Sequence, residues 1–489
     1  MTAAETVVAG ARIAGRTEPG DPRPVSAPST GQVIAQAGWV GVDAVDRAVS
    51  AAREAFASWA ATPARERAAA LRAIAADLRA ETEELGAVIC AETGKRLAEA
   101  QGEVGGSAKY FDWFAEAAAI AEIETGRTAP GRRFQVRHHP VGVVAALGTW
   151  NFPVSIPARK IAAALSAGCP TVLKASERTP VSADRLVAIC ERHLPAGVIG
   201  SVMGGPELAN ALIDHPEVAA VTFTGSTAIG RLVAERAAGS FTRTVLELGG
   251  KAPFIIRPDA DLDDAVEHLM VAKLRNNGES CIAANNVFVH SSLRDRLWDL
   301  LSERVRGIRL GLPEDAQTDL GPMIDVAAAR RLADLVDRAE QDGASVVRGP
   351  EDVHGLSDSR SGVAGAASSA AADGYLPAIL VRCEEPTPLW DEEIFGPVFA
   401  LRSYDDEDSM VAEVNSWGVG LAGYVCGTDL AGAEQLAERL RVGIVGINNG
   451  APNTPEIPFG GFGGSGIGRE GGLSGYLEFV EEQTIAVAR

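Results

Sequence analysis

From residue 141 onward, short apolar runs alternate with helical stretches, and this limits the fold more than any other feature of the chain. "VGVVAALG" is followed by a helical pattern at 156–167. Then come "TVLKA", a helix near 182–192, "VIGSVM", a helix near 207–214, and "AAVTFTG" with a helix from about Ala228. Strands apolar on both faces, with helices between them, pair in parallel and are covered by helices on both sides. A sheet of that kind binds ligands at the carboxyl ends of its strands. After Gly250 a second set begins: a helix at 262–274, the strand "VFVH", a helix at 294–306, then "AILVRC", "PVFALRSY", "AGYVCG" and "VGIVGIN" as strands. The pattern predicts a second α/β domain. Residues 43–120 read as helical, with Asp43 and the pair Thr62, Pro63 as starts. The Ser/Ala/Gly-rich stretch 357–374 reads as a flexible surface loop.

A chain of 489 residues has room for two or three domains. Its net charge of −20 argues against nucleic acid or anionic membrane as a partner, since both call for basic patches. "MTAAETVVAGARIAG" lacks the basic segment and apolar run of a signal peptide. No apolar stretch reaches the ~18 residues that suggest a membrane span. The six cysteines are scattered and form no CxxC pair, which points to reduced thiols and a cytoplasmic protein. The seven histidines are equally scattered, no HExxH occurs, and no metal is expected.

Five stretches could carry chemistry. In "FTGSTAIGR", Gly225 and Gly230 fall after a strand and open a helix. They make either a tight turn or a pyrophosphate site at a helix N-terminus. Arg231 and Leu232 stand where a P-loop needs Lys and Ser/Thr, and GxGxxG is absent. In "LKASERTP", Lys174 and Glu177 are either exposed charges or a clamp on nucleotide ribose hydroxyls. As a clamp, the Glu177 carboxylate would repel a 2′-phosphate and favour NAD over NADP. In "LELGGKAPF", Glu247 sits among apolar residues, where a raised pKa suits a general base; a salt-bridged acid is the alternative. In "GTWNFPVSIPARK", the Asn151 amide can donate to a developing oxyanion, with Trp150 and Phe152 as pocket walls; a plain turn before a helix is the alternative. In "LRNNGESCIAANN", Cys281 is either an inert buried thiol or a nucleophile. Its polar, glycine-bearing loop is not core-like, and an ordinary thiol pKa of about 8.5 would need activation.

Together "TWNFP", "LK-S-E-TP", "FTGST-IGR", "LELGGKAPFII", "NNGESC", "EEIFGPV" and "PFGGFGGSGIGREGG" occur in an order that resembles the aldehyde dehydrogenase superfamily over nearly the whole chain. The resemblance implies NAD(P)-dependent oxidation of an aldehyde to a carboxylic acid. Cys281 would be the nucleophile, Glu247 the general base, and Asn151 with the Cys281 N–H the oxyanion site. Trp150, Lys174, Ser176, Glu177, Gly225, Ser226, Leu248, Glu393 and Phe395 would bind the cofactor, NAD being favoured. The presence of Glu247 separates the chain from coenzyme A-acylating relatives, which lack that base. Glu279 stands where Gln is commoner, and its charge could raise the Cys281 pKa. Asn285 and Asn286 replace a frequent Asn–Arg.

The substrate reading starts from two arginines. Arg159 follows Asn151 by eight residues and Arg275 precedes Cys281 by six. Two guanidiniums facing one apolar tunnel need an anion; pairing with local acids is the alternative. The chain resembles succinic semialdehyde dehydrogenases at both arginines and at Thr454. Succinic semialdehyde or a related ω-oxo acid is therefore expected, with broad specificity for uncharged aldehydes as the competing reading. A cysteine hydrolase and an inactive binding protein are the readings outside the family. The implied fold is a Rossmann-like NAD-binding parallel-sheet domain (1–121 and 142–249), an α/β catalytic domain (250–467) and a small β oligomerisation extension (122–141 and 468–489). "RRFQVRHHPVG" and "LEFVEEQTIAV" would otherwise be exposed edges, so a homodimer or homotetramer is expected.

Overall fold

The structure, a computed structural model, describes residues 7–121, 125–129, 132–355, 373–383 and 387–488. Two large, mostly parallel sheets organise it. The first runs in the order Gly466–Ile467, Arg243–Glu247, Val218–Thr224, Val143–Leu147, Thr171–Lys174, Ile199–Val202, Ala11–Ile13, Arg16–Glu18. Its five central strands are parallel, and antiparallel strands close both edges. Strand order reverses beside Val143–Leu147: the next strands in sequence build to one side, and Val218–Thr224 and Arg243–Glu247 to the other. The resulting crevice at the strand ends is where open α/β sheets bind ligands.

Alternate residues of one strand enter different cores, as a period of two requires. Val144 and Ala146 pack on one face of the first sheet, Val143, Ala145 and Leu147 on the other. The second sheet runs Ser345–Arg348, Ile379–Arg382, Val398–Tyr404, Ala284–His290, Ala252–Ile256, Ala422–Cys426, Ile444–Ile447. Only Ser345–Arg348 is antiparallel to its neighbour. Phe254 and Ile256 face one core and Ile255 the other, so this sheet too is covered on both sides. Val480–Ala488, Arg132–Pro140 and Thr125–Ala129 form a separate antiparallel sheet.

The helical reading of 43–120 resolves into Asp43–Ala60, Ala64–Ala80, Thr82–Thr93 and Leu97–Ala121. Pro63 caps the second of these, and Gly94, at φ 76°, ends the third. The helices Leu262–Leu274 and Arg294–Arg306 match their expected bounds. Five N-terminal strands between Val7 and Trp39 and the helices Val326–Gln341, Glu407–Ser416 and Leu430–Arg439 were not expected. Near the expected boundary at 467, Gly466–Ile467 pairs with Arg243–Glu247 of the first sheet. The helix Gly472–Leu477 that follows packs on Leu97–Ala121 and Ser155–Ala167. Of the loop expected at 357–374, residues 357–372 lie outside the described residues. Among the described residues no helix is long and apolar enough to cross a membrane.

Candidate active site

The carboxyl ends of the first sheet bring the nominated residues together. Asn151 lies just past Val143–Leu147, Gly225 and Ser226 just past Val218–Thr224, and Glu247 ends its own strand. A cavity of about 210 Å³ is lined by Trp150, Asn151, Gly225, Ser226, Glu247, Leu248, Cys281, Glu393 and Phe395, with Thr149, Thr224 and Gly249. Trp150 and Phe395 meet edge to face across it, ring centroids 5.8 Å apart.

The Cys281 loop is held in an unusual backbone shape. Asn276, Asn277 and Gly278 take φ values of 56°, 55° and 79°. Asparagine tolerates that left-handed region better than most residues, and a Cβ at Gly278 would lie 2.3 Å from the Gly396 carbonyl carbon. Side-chain bonds hold the shape. Asn277 Nδ2 donates to Pro322 O (2.9 Å) and Gly94 O (3.2 Å), and Asn276 Nδ2 donates to Asn151 O (3.0 Å) and Glu279 O (2.9 Å). Asn151 Nδ2 donates to the same Glu279 carbonyl at 3.1 Å, which fixes the amide beside the thiol loop. Asn285 and Asn286 pin the segment that carries Glu393 and Phe395. Asn285 Nδ2 donates to Glu392 O, Ile394 N donates to Asn285 Oδ1, and Asn286 Nδ2 donates to Trp390 O, at 2.8–3.0 Å.

The Cys281 thiol is partly exposed, yet burial pushes its pKa up to about 12; Arg159 draws it down, Glu393 and Glu247 push it up. Glu247 is buried, both its carboxylate oxygens lack a hydrogen-bond partner, and burial, then Glu470, raise its pKa well above the usual carboxylate range. An unpaired carboxylate with high proton affinity, lining the same cavity as the thiol, suits proton abstraction.

Glu279 corrects an expectation. Its carboxylate accepts from Ile324 N at 3.0 Å, and burial pushes its pKa up to about 8. It is not among the principal groups acting on the Cys281 thiol. Arg159 corrects another. It is buried, lies 4.3 Å over the Phe459 ring and forms an ion pair with Glu470 at 2.5 Å. The anion it was expected to draw from a substrate is already supplied from within the chain. Arg275 differs. It is exposed, lies 5.4 Å from the Phe152 ring, and has no ion pair among the described residues. It and the Cys281 thiol both act on the Tyr424 hydroxyl, which donates to Ile282 O at 2.6 Å. Thr454 is exposed, and its hydroxyl bonds to Glu456.

Two buried charge sets were missed. Lys95 donates to Glu103 (2.5 Å) and to Asn151 O (2.8 Å), and Glu103 accepts from Val154 N and Ser155 N at 2.9 and 3.0 Å. This pair ties the Asn151 loop to the helix Ser155–Ala167. Glu470 pairs with both Arg159 and Lys160 and accepts from Thr222 Oγ1 at 3.1 Å. The only sequence sign of Glu470 was its place in the glycine-rich "GREGG" run.

Of the residues expected to bind a cofactor, Trp150, Gly225, Ser226, Leu248, Glu393 and Phe395 line the cavity, and Lys174, Ser176 and Glu177 are not among its lining residues. Lys174, buried at the end of Thr171–Lys174, pairs with Glu177, and Ser176 accepts from Arg178 N at 3.3 Å. Ser226 caps the helix Thr227–Ala238 by accepting from Ile229 N at 3.3 Å. Leu248 packs against Gly230, where a Cβ would come within 2.3 Å of it. Glu393 accepts a single long bond, from Gly250 N at 3.4 Å. A helix N-terminus at the crevice and an under-bonded buried carboxylate are groups that could hold a dinucleotide. No cluster of metal-ligating side chains occurs among the described residues.

A cysteine, a partnerless glutamate and an anchored amide thus line one cavity at the carboxyl ends of a parallel sheet. Residues 16–485 match the aldehyde dehydrogenase family, and the chain belongs to it. It is 37% identical to 3-sulfolactaldehyde dehydrogenase of Pseudomonas putida over 94% of this chain and 92% of that one. It is 36% identical to succinate-semialdehyde dehydrogenase [NADP(+)] 1 of Schizosaccharomyces pombe over 95% of this chain and 91% of that one. The solved structure of succinate-semialdehyde dehydrogenase from Burkholderia pseudomallei superposes with a TM-score of 0.91 at 35% identity, covering 98% of both chains.

Proposed function

We propose that this aldehyde dehydrogenase oxidises a short aldehyde bearing a distal anion, succinic semialdehyde first, with NAD as the acceptor. The observation that carries the reading is Arg275, a guanidinium with no ion pair among the described residues, beside the thiol loop and over Phe152. The names of the relatives support it: one aldehyde carries a sulfo group, the other a carboxylate. Arg159, ion-paired with Glu470, contributes positive potential at the thiol.

In this reading Glu247 takes the Cys281 proton and the thiolate adds to the aldehyde carbon. The new oxyanion is held by Asn151 Nδ2 and the Cys281 N–H. Glu393 and Phe395 would hold a nicotinamide cofactor, which would supply the hydride acceptor when bound. The acyl group then sits on Cys281 as a thioester. Glu247, after giving the thiol proton up to solvent, removes a proton from water, the hydroxide displaces the thiolate, and the carboxylic acid leaves.

The substrate reading is tested with Arg275→Ala. The expected result is a loss of roughly 1.5–3 kcal/mol in kcat/KM for succinic semialdehyde, the size of a hydrogen bond to a charged group, with butanal unaffected. Equal losses on both substrates would mean that Arg275 supports the loop and not the substrate. The cofactor reading rests on Glu177, whose carboxylate would repel a 2′-phosphate. Glu177→Ser should raise kcat/KM for NADP relative to NAD; an unchanged ratio removes that support. The name of the yeast relative carries NADP(+), which makes this variant informative in either direction.

A further inference from the structure

The turn that carries Asn151 belongs to no regular element: residues 151–154 lie between the strand Val143–Leu147 and the helix Ser155–Ala167. A buried ion pair grips both ends of it. Lys95 Nζ donates to Asn151 O at 2.8 Å and to Glu103 at 2.5 Å, and lies 4.1 Å from the centre of the Phe152 ring. Those partners take up the three N–H donors of an ammonium. At the far end of the turn Glu103 accepts from Val154 N and Ser155 N. Both side chains of the pair are buried. The Asn151 amide is held as well. Its Oδ1 accepts from Thr149 Oγ1 at 3.3 Å, and its Nδ2 gives one N–H to Glu279 O at 3.1 Å. The second N–H is left for the cavity that Asn151 shares with the thiol. A buried ion pair is seldom the most stable filling for a core, since apolar side chains of similar volume often do as well or better. Here the pair adds direction, because a hydrogen bond to the carbonyl and a contact on the next ring fix the Asn151–Phe152 peptide from both sides.

We propose that Lys95 is a positioning residue for the oxyanion donor: by holding the Asn151 carbonyl and the Phe152 ring, it aims the second Nδ2–H of Asn151 at the aldehyde oxygen. This rests on the reading of Asn151 as that donor. Lys95 does not line the cavity, so it acts through Asn151 and not on the aldehyde itself. Asn276 Nδ2 binds the same carbonyl at 3.0 Å, but Asn276 belongs to the Cys281 loop. Lys95 instead ties the donor, through Glu103, to the helix Leu97–Ala121. The amide is thereby anchored independently of the thiol loop it must face.

The test is a double-mutant cycle between Lys95→Met and Asn151→Ala in the full chain. The rate read is NADH formation in a single turnover, with succinic semialdehyde or butanal, whichever the enzyme oxidises faster. Asn151→Ala alone should slow it by roughly 10²–10³-fold, the usual loss for one oxyanion donor. Lys95→Met alone should slow it by roughly 10–100-fold, the cost of a misplaced reacting group. In the Asn151→Ala background, Lys95→Met should add no further loss. Alkylation of Cys281 by iodoacetamide, a reaction that builds no oxyanion, should proceed at the wild-type rate in Lys95→Met. Equal losses from Lys95→Met in both backgrounds, or a parallel loss in alkylation, would place its effect on the fold or the thiol loop and overturn the inference. An undiminished rate in Lys95→Met overturns it too. A wild-type rate in Asn151→Ala overturns the oxyanion reading itself. If Lys95→Met does not fold, Lys95→Met with Glu103→Gln takes its place in the cycle. That pair buries no lone charge and keeps an acceptor for Val154 N and Ser155 N, and the same outcomes decide.

Discussion

Glu247→Gln will lower turnover by roughly 10²–10⁴-fold, the usual range for loss of a general base. The size of the effect follows from the state of the thiol. With its pKa pushed up to about 12, Cys281 is almost wholly protonated at neutral pH and needs a base to become nucleophilic. Glu247 lines the same cavity and has both carboxylate oxygens free of hydrogen bonds. Glutamine keeps the shape and removes the proton acceptor from both thiol activation and thioester hydrolysis. Wild-type activity should rise with pH through the raised Glu247 pKa, because the base works only when ionised; the variant should lose that limb. Intact-mass analysis should show acyl-Cys281 if hydrolysis is the slower of the two affected steps. Turnover within a few-fold of wild type would remove Glu247 from the chemistry.

The second large effect concerns stability. Glu470→Ala leaves Arg159 and Lys160 buried without their shared carboxylate, and breaking a buried ion pair in this way costs about 3–5 kcal/mol. All three side chains are essentially inaccessible to solvent. Burial alone would raise the Glu470 pKa, but Arg159 and Lys160 outweigh it and hold it below the usual range. A depressed carboxylate contributes stability above its unfolded pKa, and that contribution is lost as pH falls through the folded value. Urea unfolding at neutral pH should therefore show the full deficit in Glu470→Ala, and the gap to wild type should narrow in acid. Glu470→Gln, which can still accept from Lys160, should cost less. Equal midpoints for wild type and Glu470→Ala would show that water reaches the cluster.

In the first sheet "VGVVAALG", "TVLKA", "VIGSVM" and "AAVTFTG" were legible because each is a short apolar run followed by a helix. The helix Leu262–Leu274 was legible to its ends because Asp261 caps it and the glycine-bearing Cys281 loop stops it. The N-terminal strands were not. Asp21–Ser26 carries two prolines and is mostly exposed, so it shows neither continuous apolarity nor clean alternation. Cys281, Glu247 and Asn151 could be nominated because each is an uncommon residue type for its local setting, and the fold brings them to one cavity. The fate of the arginines could not be read. Arg159 and Arg275 are equivalent in sequence terms. Their difference depends on Glu470, which reaches Arg159 only after the chain has built the second sheet and returned to the first. Lys95 and Glu103 likewise look like ordinary helix-surface charges until packing buries them against the Asn151 loop.

The most direct test compares kcat/KM for succinic semialdehyde and for butanal in the wild-type enzyme with NAD. The two aldehydes share a four-carbon chain and differ at the distal carboxylate. A carboxylate bound by Arg275 should give succinic semialdehyde an advantage of about tenfold or more, the value of one charged hydrogen bond. Equal constants for the two aldehydes would contradict the anion-anchored site and leave an aldehyde dehydrogenase of broad specificity.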